Sequence, residues 1–133
     1  MSGSTDLKQL IQTMSPTLSE ESFVIATLRD SHLPEGLKAK GTFYESEGLT
    51  VFCEKAEAIR CGIPFDSVFR LITLEVHSSL EAVGFLSHIA QALAASNISC
   101  NVVSAYFHDH LLIPESQAEL ALQVLQRLSR TSR

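Results

Sequence analysis

The chain has 133 residues, 45% of them apolar and 19% charged, with a formal net charge of −5. This suits one ordinary domain or two very small ones and excludes a disordered chain. Nucleic acid is excluded as a partner, because the only basic cluster is the short tail Arg127, Arg130 and Arg133. A membrane span is excluded too, because no apolar run approaches the roughly 20 residues one needs.

Residues 1–6, Met-Ser-Gly-Ser-Thr-Asp, lack the basic and apolar segments of a signal peptide, which predicts a cytosolic protein. Cys53, Cys61 and Cys100 are odd in number and form no C-x-x-C, so free thiols are expected rather than a disulfide framework or a zinc finger. Leu7, Leu10, Ile11 and Met14 fall at helical spacing behind Asp6, which predicts a helix over 6–14 that ends before Pro16. Glu20 and Glu21 are expected in a solvated turn, and "SFVIATL" (22–28) as a strand. A loop around "DSHLPEG" follows, with His32 exposed in it. Residues 39–46 suit a strand or half of a hairpin, turning at Ser46-Glu47-Gly48 into a strand over 49–53. Residues 54–62 then suit a short helix stopped by Gly62 and Pro64.

The second half has sharper signals. "FRLITLEVH" (69–77) reads as a strand, with Phe69, Leu71, Thr73, Glu75 and His77 on one face and Arg70, Ile72, Leu74 and Val76 on the core face. Arg70 is expected to pair with an acid. Residues 78–97 read as a helix opened by a Ser78/Glu81 capping box, with Val83, Leu86, Ile89, Ala90 and Leu93 buried, His88 exposed and Asn97 as the stop. Strands are expected over 98–107 and 110–113. The last helix follows Pro114, with Ala118, Ala121, Leu122, Leu125 and Leu128 on its buried face. "LTVFCEKAEAI" (49–59) aligns without gaps to "HLLIPESQAEL" (110–120), a weak internal repeat.

The β-α-β-β-α run of the second half resembles the ACT domain, a small ferredoxin-like βαββαβ module. Gly84-Phe85-Leu86 is similar to its glycine-apolar-leucine step, and Ile98-Ser99-Cys100-Asn101-Val102 to the opening of its second strand. "TLEVHSSLEAVG" (73–84) and "SCNVVSAYFHDHLLIP" (99–114) further resemble small standalone bacterial proteins that pair two ACT-like units. This likeness runs over essentially the whole chain. It departs from a generic ACT domain in having no Asp-x-Pro-Gly in the first turn and no final strand in the second unit.

The resemblance implies an α+β protein of two ACT-like units with antiparallel sheets, at 1–64 and 65–133. The first unit is expected to begin on a helix and lack an opening strand. Open sheet edges invite pairing, so the units are expected to share one sheet or pair side by side, with 69–77 serving both. A homodimer or higher oligomer is a further expectation.

"FHDH" is the stretch most suggestive of chemistry. In a βαββαβ sheet, the ends of strands one and two and the start of strand three share an edge. His77, Ser78 and Ser79 are then expected beside His108, Asp109 and His110, at a helix start that carries Gly84. Asp109 also suits a tight turn that bonds its own backbone. The turn is the leading reading; next comes a site for a small anion or amino acid, and after it a metal on His77, His108, His110 and Asp109. Catalysis is the weakest alternative, since Ser78 is better explained as a cap. The expected function is a non-enzymatic, small-molecule-binding regulatory module of ACT type, its ligand an amino acid at His77, Ser78, Ser79, Gly84, His108, Asp109 and His110, with no cofactor. The alternatives are a structural or protein-interaction module without ligand, and a metal-binding protein.

Overall fold

The computed structural model describes residues 6–76 and 82–131. Helix α1 (Leu7–Thr13) is capped as its sequence predicts: Asp6 Oδ1 accepts the Gln9 N–H at 3.2 Å. Met14 is already extended, and strand β1 (Ser15–Leu28) begins one residue later, not at 22. Strands β2 (Ala39–Glu45) and β3 (Gly48–Glu54) form a hairpin, in which Glu45 faces Gly48. Helix α2 (Lys55–Arg60) follows. Strand β4 (Phe69–Glu75), helix α3 (Phe85–Ala95), strands β5 (Asn101–Ser104) and β6 (Asp109–Pro114) and helix α4 (Ala118–Thr131) complete the described order.

All the described strands lie in one antiparallel sheet, in the order β2-β3-β1-β4-β6-β5. The expectation of a shared sheet therefore holds, but the first unit does have an opening strand. Ser15–Leu18 pairs with Ile72–Glu75 of β4, whereas Phe23–Leu28 pairs with Leu49–Glu54 of β3. The second half of β1 is strand one of the first unit. Its first half occupies the strand-four position that the second unit otherwise lacks. Strand β4 returns the exchange: it opens the second unit and closes the first. "LTVFC" and "HLLIP" also take equivalent places, β3 between β2 and β1, and β6 between β5 and β4.

A bulge between Leu18 and Ser22 lets β1 change partners. Arg70 holds it, and among the described residues it does so without an acid: its Nε donates to Ser19 O at 2.7 Å and its Nη2 donates to the same oxygen. Ser19 Oγ accepts the Leu71 N–H at 3.0 Å. Glu20 and Glu21 are exposed in this bulge rather than in a turn before the strand. Pro16 is tolerated because its stretch is bonded to β4 and not to β3.

Strand alternation splits the apolar residues between two faces. Ile72, Leu74, Leu111 and Ile113 bury against α1, α3 and α4, through Leu10, Phe85, Ile89 and Leu125 among others. Val24, Val51 and Cys53 bury against α2 through Ala58. Each such Leu or Ile contributes about 1.5–3 kcal/mol. Phe23, Leu71 and Leu112 form a third cluster on the opposite, helix-free face.

Helix α3 departs from expectation. It starts at Phe85, and residues 82–84 are not helical; the Ser78/Glu81 box lies outside the described residues. Gly84, left-handed at φ 89°, takes the N-cap position, Phe85 is buried, and Val83 is 84% exposed. Asn97, also left-handed, ends the helix as expected, and the Ile98 N–H donates to Leu93 O at 3.0 Å. Strand β5 is consequently shorter than 98–107. In the first unit, residues 29–38 stand where the second has α3. Glu57 Oε1 accepts the Lys38 N–H at 2.9 Å, and Arg60 Nη2 donates to Gly36 O at 2.7 Å and to Glu57 Oε1 at 2.9 Å. This ties the segment to α2. None of the described helices is long and apolar enough to cross a membrane.

Candidate functional site: a sheet edge and the open sheet face

Leu74 and Ser104 are both register partners of Asp109, so the end of β4, the end of β5 and the start of β6 do share an edge. Gly84 opens α3 a short stretch after β4 ends. His77, Ser78 and Ser79 lie outside the described residues.

Asp109 does not make the turn. Residues 105–108 form it, closed by the Ala105 N–H donating to His108 O at 3.1 Å, and Asp109 is the first residue of β6. Tyr106 and Phe107 stand exposed at the tip with their rings edge to face at 4.9 Å.

Nor does the His-Asp-His triplet converge. Along a strand successive side chains leave opposite faces. Leu111 joins the helix-side core and Leu112 the helix-free cluster, so Asp109 shares the face of Leu111 and His110 that of Leu112. His108 and His110 have ring centroids 6.5 Å apart at an interplanar angle of 85°. Among the described residues, no three His, Cys, Asp or Glu side chains gather to hold a metal ion. Half-burial and the neighbouring His108 and Lys40 push the His110 imidazole below its ordinary pKa, partly opposed by Asp109. Its Nδ1 lies 2.9 Å from Thr73 Oγ1.

The other histidines are as expected: His32 and His88 are exposed, and the His32 ring nitrogen Nδ1 is 2.6 Å from Asp30 O. The cysteines are free, with Cys53 buried and Cys61 and Cys100 half-buried. Burial raises the Cys53 and Cys100 thiols above their ordinary pKa, which keeps them protonated.

His110 faces a feature that no short motif announces. The helix-free face forms a cleft of about 540 Å³. Its floor includes Phe52, Leu71 and Leu112, and the edge strands β2 and β5 wall it with Phe43 and Val103. Lys40 and His110 are its ionisable residues. The sheet curves enough for its two outermost strands, one from each unit, to line one cavity. A second cavity, of about 520 Å³, lies in the first unit beside Arg29, Phe65 and Asp66. The sequence signal for an apolar second face was the unbroken run Leu111-Leu112-Ile113, which fits a strand with apolar cover on both sides.

Two reciprocally completed ferredoxin-like units in one antiparallel sheet define the class of the protein. Two family models, each described as an ACT domain, match residues 2–70 and 66–127. A protein of unknown function from Vibrio cholerae, described as a possible transport protein, is 38% identical. The match covers 94% of this chain and 97% of that one, with a TM-score of 0.83. The chain belongs to the ACT domain family. A protein from Agobacterium tumefaciens shares the fold at 19% identity and a TM-score of 0.73, over 87% of this chain and 89% of that one. So does the regulatory subunit of aspartate kinase from Thermus thermophilus, at 11% identity and a TM-score of 0.63, over 89% of this chain and 98% of that one. No curated protein matches the chain.

Proposed function

We propose that the chain is a non-catalytic, ligand-binding regulatory module. Its ligand is an amino acid, held at the sheet edge of Gly84, His108, Asp109 and His110, with His77, Ser78 and Ser79 as its further expected contacts. The supporting observation is the reciprocal pairing of β1 and β4. Each unit is closed by a strand of the other, so a ligand that shifts one edge must strain both. A regulatory module needs such a differential interaction with two arrangements. The fold shared with an aspartate kinase regulatory subunit agrees with this role.

A thermal-shift panel over the common amino acids tests the proposal. One amino acid should raise the melting temperature, because it binds the native state alone, and His108→Ala should reduce the rise. A flat response across the panel would overturn it. The second reading, a protein-interaction module, is favoured by the exposed Phe43, Tyr44, Tyr106 and Phe107 on or beside the edge strands. Sedimentation showing assembly that Tyr44→Lys disrupts would support it.

A further inference from the structure

We propose that the cleft on the helix-free face binds a small carboxylate with an apolar body, held at its head by Lys40 and His110 and along its body by Phe52, Leu71 and Leu112. This site shares His110 with the amino-acid edge, but it rests on the cleft and Lys40 and not on that reading.

The volume, about 540 Å³, suits a small ligand. The floor is built and apolar: Leu71 is 5% exposed and Leu112 1%, and Phe52 stacks at 5.3 Å on the buried Phe23. Charge complementarity sets the ligand class. Lys40 Nζ is 5.7 Å from the centre of the Phe23 ring, which holds the ammonium over this floor. Among the described residues Lys40 has no ion pair, and no carboxylate lines the cleft. In the tautomer in which Nδ1 accepts from the Thr73 hydroxyl, the Nε2–H of His110 can donate to an anion. Lys40 and His110 line the same cleft, Lys40 from β2 and His110 from β6.

An amino acid fits less well than a plain or 2-oxo carboxylate. Its ammonium would enter beside Lys40 with no acidic side chain to receive it. The occupant would also touch both units at once, since β2 and β3 contribute one side and β4, β5 and β6 the other.

The test is an amide NMR titration of the full chain with phenylacetate and 4-methyl-2-oxopentanoate, beside phenylacetamide and L-phenylalanine. Saturable shifts at residues 40–43, 71, 103 and 112 are expected with a carboxylate probe and much weaker ones with the other two. Lys40→Met should weaken binding roughly 10-fold or more, as loss of a charge-assisted bond does, and Lys40→Arg should retain it. Lys40 is on an exposed strand, and an unchanged amide spectrum of each variant without ligand verifies the fold. The proposal is overturned if neither carboxylate shifts these amides, if phenylacetamide binds equally well, or if Lys40→Met binds unchanged. It is also overturned if the same amides broaden with protein concentration alone, because a second copy then covers the cleft. The amino-acid panel has its own readout, so either site can fail without the other.

Discussion

His110 Nδ1 meets Thr73 Oγ1 at 2.9 Å, across register partners of β4 and β6. Burial, His108 and Lys40 lower the pKa of this imidazole from 6.5, against a smaller opposing effect of Asp109. The unfolded chain therefore binds the proton more readily than the folded one. Stability from this source is complete above the ordinary value and is lost as pH falls through it towards the folded pKa. Urea unfolding at about pH 8 and about pH 5 should show the fall, and His110→Gln should flatten it. An unchanged slope in the variant would assign the pH response to other groups.

Glu57 has a folded pKa of about 2, lowered first by the Arg60 side chain and then by the Lys38 N–H. Its contribution is present above the ordinary carboxylate range and is lost as pH falls towards about 2. Glu57→Ala should speed hydrogen exchange at the Lys38 amide while amides of β4 and β6 keep their ordering. Equal acceleration everywhere would make Glu57 a global stabiliser rather than a tie for residues 36–38.

Gly48 and Gly41 should respond very unequally to alanine. A Cβ at Gly48 would lie 2.9 Å from Leu28 O and 3.2 Å from Arg29 Cα, which are backbone atoms with little room to move. Gly41 has nothing within 4 Å. Gly48→Ala should cost about 1–3 kcal/mol and Gly41→Ala less than about 0.5 kcal/mol in chemical denaturation.

Ser129 is buried on α4, and its Oγ donates to Gln12 O at 3.0 Å, joining α4 to the end of α1. Ser129→Ala should cost about 0.5–1.5 kcal/mol by denaturant titration, and Ser129→Val more, since it adds bulk at a 7%-exposed position.

The fold was legible wherever local chemistry and tertiary packing agreed. Asp6 before α1, the Ser46-Glu47 turn, Asn97 after α3 and the apolar stripe of α4 all follow from propensity and spacing. Residues 15–21 were not legible, because Pro16, Glu20 and Glu21 break the alternation and only Arg70 and the β4 ladder make them a strand. The start of α3 was misplaced because Ser78 and Glu81 have a capping spacing, while Gly84 in the left-handed region delays the helix to Phe85. The edge holding Asp109 could be inferred from topology. The His110–Thr73 contact and the place of Lys40 could not, since the first depends on the β4–β6 register and the second on how far the sheet curves.

The exchange of strands between β1 and β4 also sets the order of events during synthesis. Leu18 leaves the ribosome long before its partner Ile72, and Phe23–Leu28 can pair with β3 while Ser15–Leu18 still waits. Pairings this distant in sequence are slow to form. Until β4 arrives, the growing chain exposes a strand whose hydrogen-bonding groups face no partner, the condition under which nascent β proteins aggregate. Ser15 and Thr17 are exposed in the waiting stretch, and Glu20 and Glu21 in the bulge that follows it. Their polarity keeps it soluble through that delay, so the break in alternation that hid the strand from sequence reading also protects it before it folds.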